Sequence, residues 1–314
     1  MSVLHSESAS APYIAKQIND SQAGNAQINL NLAQLGSLKL YRPPLPEQKK
    51  IAAILSSVDE VIEKTRAQID KLKDLKNGMM QELLTRGIGP GGTPHTEFKD
   101  SQLGQIPVGW DVVEISSITS DITYGLTVRP KYVDEGIPLV SGKECKDGWL
   151  DFSISKRISE ADFSGLRVRT LPKAGDVIMT KTGTVGRVAL VQKSYQKFAI
   201  SQNVALIRPN HSKVDPEYLA LVLSSSSVKE QIRLGVSTLS VPDLQLGTLQ
   251  RFSIPLPSKD EQKAIVSLLG SIIRKKAYCD KKLEQLNSLK KSLMQDLLTG
   301  KVRVQVDTRE LADA

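Results

Sequence analysis

The stretch Met179-Thr180-Lys181-Thr182-Gly183-Thr184-Val185-Gly186-Arg187-Val188 sets two cations and a row of hydroxyls between β-branched runs, punctuated by two glycines. Gly183 and Gly186 predict a hairpin tip that carries Lys181, Thr182, Thr184 and Arg187. Such a narrow, polar, basic tip can grip a phosphate or enter a groove, because cations and hydroxyls donate to anionic oxygens and to base edges. It reads equally as a solvated hairpin. A second candidate, "TYGLTVRPKY", mixes Tyr124, Thr127, Arg129 and Lys131 around Gly125; a third, "SGKECKDG", offers Ser141, Lys143 and Lys146. Both are as consistent with plain loops as with contacts. Ser201-Gln202-Asn203 adds amides that can bond adenine in a bidentate fashion or simply satisfy nearby backbone groups.

Catalytic chemistry is not read from this sequence. A Glu-x-Lys triplet at Glu144-Cys145-Lys146, with Asp134 upstream, has the outline of a metal-dependent nuclease, yet the same triplet recurs at Glu47-Gln48-Lys49 and Glu261-Gln262-Lys263. A pattern that occurs three times in a lysine-rich chain carries little information. Ser153-Ile154-Ser155-Lys156, Lys181-Thr182-Gly183 and Ser201-Gln202-Asn203 have the wrong order for a penicillin-interacting enzyme. Neither a phosphate-binding GxxxxGK[ST] loop nor a methyltransferase Pro-Pro-aromatic box is present. Cys145 and Cys279 are far apart, and His5, His95 and His211 lack ligand spacing, so no disulfide framework, metal site or cofactor is expected.

The formal charge of +8 fits a polyanionic partner such as nucleic acid. Over residues 101–240 the excess is only 17 basic against 14 acidic side chains, so contacts must come from local clustering. No apolar run reaches the roughly 18 residues of a membrane span, and the first residues lack the order of a signal peptide. A cytoplasmic protein is expected.

The elements that hold these candidates are announced by a repeat. At an offset of 211, Gly24, Leu35-Gly36 and Leu45-Pro46 match Gly235, Leu246-Gly247 and Leu256-Pro257. After a three-residue insertion the offset is 214, and Glu47-Gln48-Lys49 matches Glu261-Gln262-Lys263. The correspondence continues through Ile51/Ile265, Leu55/Leu269, Leu72/Leu286 and Met80/Met294 to Leu83-Leu84-Thr85/Leu297-Leu298-Thr299. In the first copy Leu55, Val58, Ile62, Thr65, Ile69, Leu72, Lys76, Met79 and Leu83 advance in steps of three and four. The second copy does the same with Leu269, Ile272, Lys276, Cys279, Leu283, Leu286, Lys290, Leu293 and Leu297. Each stripe predicts a helix of about 60 Å with a coiled-coil seam. Two matching seams point to mutual packing. Lys76 and Lys290 share a seam position and suit a register-fixing role. Prolines 43, 44, 46, 255 and 257 give each helix an extended approach, and Gly87 and Gly300 offer the left-handed stop.

Residues 87–100, with four glycines and two prolines, read as a linker or exposed loop. Residues 101–241 read as a mixed α/β domain rich in strands and hairpins, with helices at Pro216 to Leu223 and Ser227 to Leu234. Residues 1–40 read as the end of a second such domain, because Gln17-Ile18 matches Gln231-Ile232 at offset 214. The expected order is remnant (1–40), helix (41–87), linker (88–100), globular domain (101–241), approach and second helix (242–300), and tail (301–314).

This arrangement resembles the specificity subunit of type I restriction-modification systems over almost the whole chain. The carriers are the "PLPEQ" and "PLPSKDEQ" approaches, the "LLTRG" and "LLTG" exits, "GQIPVGWDVVEI" from Gly104, and "GDVIMTKTGTVGRV" from Gly175. The resemblance implies two long antiparallel spacer helices beside target-recognition domains that each read half of a split site on double-stranded DNA. It also implies methylation subunits docked around the helices, a restriction subunit within the complex, and no catalysis by the chain itself. Lys181, Thr182, Gly183, Thr184, Arg187, Tyr124, Thr127, Arg129, Lys131, Lys143, Lys146 and Gln202 are then the DNA-contact candidates. One complete recognition domain where the family has two implies a half-size form, acting as a homodimer or with a separate partial chain. The competing class is a non-catalytic scaffold whose central domain binds protein.

Overall fold

The computed structural model describes residues 12–20, 36–38, 41–89, 92–236 and 241–305. Gly24 and Leu35 of the repeat, and most of the expected 1–40 remnant, lie outside the described residues. The chain divides into two compact units: Leu75–Ile272, and Met1–Asp74 together with Ile273–Ala314.

The expected long helices are present as α2 (Leu45–Thr85) and α8 (Lys259–Leu298). All eighteen seam positions are buried or half-buried, while most positions between them are exposed. Thr65 is tolerated on this apolar stripe because its hydroxyl donates to Val61 O at 2.7 Å within the helix. In the unit of the two termini, the beginning of α2 meets the end of α8, so the pair runs antiparallel. Ile51 and Leu55 bury against Met294, Leu297 and Leu298. Lys290 Nζ reaches Asp59 Oδ2 at 2.9 Å, which makes this seam lysine a cross-helix register contact. The other end of the pair is built in the second unit, where Met80, Leu83 and Leu84 of α2 share a core with Ile265 and Leu269 of α8.

The short helix α1 (Pro12–Asp20) holds Gln17-Ile18, and its match α6 (Ser226–Gly235) holds Gln231-Ile232, so this part of the repeat is helical in both copies. Ile14 and Val228, equivalent at offset 214, are both buried.

The duplicated "PLP…EQ" signature has a structural cause. Gln48 Nε2 donates to Pro43 O at 2.8 Å, and Gln262 Nε2 donates to Pro257 O at 2.9 Å, so each glutamine ties its helix to the proline approach. Each glutamate receives the chain that leaves the opposite helix. Glu47 accepts from Arg303 Nε at 2.9 Å, Arg303 Nη2 at 2.8 Å and Val304 N at 3.1 Å. These hydrogen bonds, Arg303's foremost, hold the Glu47 carboxyl below its ordinary value although burial opposes them. Glu261 accepts from Ile88 N and His95 Nε2, both at 2.8 Å, and from Trp110 Nε1 at 2.9 Å. Gly87 (φ +66°) lies between: a Cβ there would sit 2.4 Å from both Glu261 Oε1 and the Trp110 ring.

The segment read as a linker or exposed loop is exposed over most of residues 92–97 but anchored at its start. Gly87 and Gly89 are buried, Ile88 and His95 are anchored on Glu261, and the segment runs into a hairpin of β1 (Phe98–Ser101) and β2 (Gly104–Pro107). Gly87 and Gly89 serve close packing, while Gly92 and Pro94 are exposed.

Between the long helices, β3 (Asp111–Glu114), the single turn α3 (Ile115–Ile118) and β4 (Thr119–Tyr124) open the globular unit. Next come β5 (Tyr132–Val133), β6 (Ile137–Val140), β7 (Lys156–Ile158), α4 (Glu160–Ser164), β8 (Val177–Thr180), β9 (Val188–Leu190), β10 (Ala199–Ile200) and β11 (Val204–Pro209). The unit closes with α5 (Pro216–Leu223), α6, α7 (Leu246–Gln250) and β12 (Ser253–Leu256). One four-stranded sheet has the order β4-β11-β8-β9, all antiparallel. The other has the order β10-β6-β7-β5, with β10 parallel to β6. β6 and β8 are buried along their whole length, as their unbroken apolar runs require. α5 begins where sequence chemistry starts it: Asp215 caps Glu217 N and Tyr218 N, and Pro216 fills the first turn. Tyr218, fully buried, is tolerated because its hydroxyl donates to Pro255 O at 2.9 Å.

Candidate nucleic-acid interface

The hairpin read from the glycines joins β8 to β9. Gly183 (φ +80°) and Gly186 (φ +92°) make the turn, and buried Thr180 stitches it by accepting from Arg187 N at 2.9 Å and donating to Thr184 O at 2.5 Å. At the tip Gly183 and Thr184 are exposed, while Lys181, Thr182 and Arg187 are half-buried.

Three segments that sequence spacing keeps apart meet beside this tip. Tyr124 and Thr127, Lys181 and Thr182, and Gln202 line one cleft of about 480 Å³. Asn203, Asp243, Gln245, Leu246 and Gly247 complete it. Backbone hydrogen bonds fix the meeting: Leu126 N donates to Ile200 O at 2.9 Å, Gln202 N to Leu126 O at 2.9 Å, and Lys181 N to Asn203 O at 2.9 Å. Gly125 permits the approach, since a Cβ there would fall 1.7 Å from Ile200 O.

The cleft is polar, and among its described lining residues the one cation, Lys181, is already paired. Lys181 Nζ lies 2.7 Å from Asp243 Oδ1, and Thr182 Oγ1 donates to the same oxygen at 2.5 Å. Gln245 Nε2 donates to Asp243 Oδ2 at 2.6 Å. Lys181 first, and then Thr182, hold the Asp243 carboxyl below the ordinary aspartate value, so it is ionised at neutral pH. Lys181 thus orders the cleft wall. The remaining lining offers amides, a phenol and a hydroxyl, groups suited to the donor and acceptor pattern of base edges more than to bare phosphate charge.

The other candidates are not lining residues. Arg129 and Lys131 are exposed, with the Arg129 guanidinium 5.7 Å from the Tyr132 ring centre. Lys143 is exposed, and Lys146 Nζ donates to Lys143 O at 2.8 Å. Their loop borders the tip: a Cβ on Gly142 would lie 3.7 Å from Thr182 O. Placing the end of the globular segment at Val241 is what hid Asp243 and Gln245. The usable signal was the alternation Asp243-Leu244-Gln245, in which Leu244 is fully buried and its polar neighbours face the cleft.

Cys145 and Glu144 are taken up by packing and by their own loop. Burial foremost pushes the Cys145 thiol up to about 12. Glu144 of the Glu-x-Lys triplet is buried and holds its own loop, accepting from Ser141 N at 2.8 Å and Ser141 Oγ at 2.6 Å. Among the described residues, no group of three His, Cys, Asp or Glu could hold a metal ion, and no helix is long and apolar enough to cross a membrane.

Residues 9–74 and 107–288 match the family model of the type I restriction modification DNA specificity domain. The chain is 29% identical over 273 residues to the type I restriction enzyme MjaVIII specificity subunit of Methanocaldococcus jannaschii, an alignment covering 85% of this chain and 63% of that one. It is 24% identical over 312 residues to the EcoBI specificity subunit of Escherichia coli, covering 94% of this chain and 65% of that subunit. The chain thus spans less than two thirds of the length of these relatives. The fold is similar to the solved type I restriction-modification S subunit from M. genitalium, with TM-score 0.54 at 16% identity, covering 93% of this chain and 72% of the other. With the family model matching most of its length, the chain belongs to the type I restriction-modification DNA specificity family.

Proposed function

We propose that this chain recognises half of a bipartite DNA site for a type I restriction-modification complex and carries no catalysis of its own. Residues 101–241, extended by the cleft wall to Gly247, act as the target-recognition domain, and α2 and α8 act as spacer helices around which methylation and restriction subunits assemble. The observation that carries this reading is the cleft, where Tyr124, Thr127, Gln202, Asn203 and Gln245 gather base-reading groups beside the β8–β9 tip. Arg187, Lys143, Arg129 and Lys131 are left as the phosphate-facing cations.

The test is duplex binding by the chain assembled with its methylation subunits, at about 50 and 200 mM salt. Affinity should fall steeply with salt, and Gln202→Ala should relax base preference while preserving most of that salt dependence, because an amide reads bases and does not release counterions. Salt-independent binding, or unaltered preference in Gln202→Ala together with Tyr124→Ala, would refute the cleft as the reading surface.

A further inference from the structure

The loop that leaves β6 is a small hairpin whose two faces are unlike. Cys145 and Leu150 are bridged across it, Lys146 N donates to Trp149 O at 3.0 Å, and Asp147-Gly148 makes the turn, with Gly148 at φ +97°. Alternation puts Cys145 and Leu150 on the inner face, where they are 0% and 3% exposed. Their neighbours Lys146 and Trp149 form the adjacent cross-strand pair on the outer face. Trp149 is 51% exposed, an unusual place for the largest apolar side chain.

The exposure is not looseness. Glu144 ties the loop to Ser141, Asp151 N donates to Glu144 O at 2.8 Å, Gly148 N to Val188 O at 2.8 Å, and Leu150 N to Tyr195 Oη at 3.2 Å. Those bonds fix the loop that carries Trp149 on the flank of the β8–β9 hairpin. The loop begins beside Thr182 of the cleft, and Cys145 Sγ lies 3.7 Å from Arg187 O. In the same loop Lys143 is exposed and Lys146 half-buried beside the exposed Asp147, and Arg187 of the adjoining hairpin is half-buried.

We infer that Trp149 is a DNA-contacting residue of this chain, laying its indole against a base or deoxyribose at the edge of the half-site while Lys143, Lys146 and Arg187 hold the flanking phosphates. A rigid aromatic among cations is the combination that stacks on nucleic acid, since every base presents a π-face and the neighbouring charge is met by the backbone. The inference rests on the DNA-recognition reading above and adds a contact outside the cleft.

The sequence contains two tryptophans, and Trp110 is 1% exposed with its indole bonded to Glu261, so a change in indole emission on ligand binding reports Trp149. Unlabelled mixed-sequence duplex is titrated into the full chain while emission is followed, and affinity is measured in parallel by anisotropy of a labelled duplex. Emission should change along the binding isotherm. Trp149→Ala should weaken binding about tenfold to a hundredfold, and Trp149→Phe should recover part of the loss. Duplex binding with unchanged emission and unchanged Trp149→Ala affinity overturns the inference and leaves the recognition reading standing. Protection of Trp149 by methylation subunits but not by duplex also overturns it, in favour of a protein contact. Failure of the wild-type chain to bind duplex even at low salt, both alone and assembled with methylation subunits, overturns both.

Discussion

Glu261 offers the sharpest test of how the repeat works. Replacing it with alanine removes the acceptor of Ile88 N, His95 Nε2 and Trp110 Nε1 together. His95 is 20% exposed and can turn to water. Trp110, at 1% exposure, cannot, and Ile88 N is held in the same packed turn. Two donors are therefore left unmet, and each such group costs about 1–3 kcal/mol, for a total of about 2–6 kcal/mol. For a unit of this size, about 2–4 °C per kcal/mol converts that to a fall in Tm on the order of 10 °C. Glu261→Gln keeps one acceptor oxygen but aims an amide N–H at other donors, so it should fall between alanine and wild type. His95→Ala should cost no more than about 1.5 kcal/mol, because both buried donors stay bonded. Calorimetric melting of the three variants checks the order. A Glu261→Ala protein melting within about 2 °C of wild type, or His95→Ala as costly as Glu261→Ala, would refute the claim that this carboxylate closes the junction.

Two further predictions concern other sites. Gly125→Ala forces a methyl against Ile200 O and must part the end of β4 from the segment after β10. It should cost about 1–3 kcal/mol in thermal melting and reduce duplex affinity more than Gln202→Ala, whereas a wild-type melt would show that the close approach is not needed. The Glu47 contact should depend on acid. Its folded carboxyl is held below the ordinary 4.5, so the stabilisation is complete above that value and is lost as pH falls through the lowered folded one. Hydrogen exchange at Val304 N, corrected for its intrinsic rate, should accelerate below about pH 4.5 in the wild type and lose that dependence in Arg303→Ala. An identical profile in both proteins would dissociate Arg303 from the effect.

The elements legible in the sequence are those written by local spacing. The two seams are stated by steps of three and four residues, the hairpin tip by Gly183 and Gly186, and the start of α5 by Asp215-Pro216. Each depends on residues a few positions apart. Partners separated by long stretches were not legible. Glu261 meets Ile88 173 positions away and Trp110 151 positions away, and no periodicity relates them. The same limit hid the anchoring within residues 87–100: Gly87 and Gly89 are buried and Ile88 and His95 meet Glu261, while Gly92, Thr93 and Pro94 are exposed.

The cleft shows how far partial legibility reaches. Tyr124, Thr127, Lys181, Thr182 and Gln202 carry the chemistry of nucleic-acid contact in three separate segments, and they line one surface. What residue type could not supply is the use of each charge. Lys181 has the sequence signature of a phosphate contact, but its ammonium is 2.7 Å from Asp243 Oδ1 and its side chain is only 12% exposed. Freeing that ammonium for a phosphate would leave Asp243 as an uncompensated, partly buried anion, which is costlier than recruiting the exposed Lys143. Lys181→Ala should thus disturb the cleft through Asp243 before it changes the number of phosphate contacts. The salt dependence of duplex binding separates these two effects, because lost phosphate contacts lower the slope and a distorted cleft lowers affinity at constant slope.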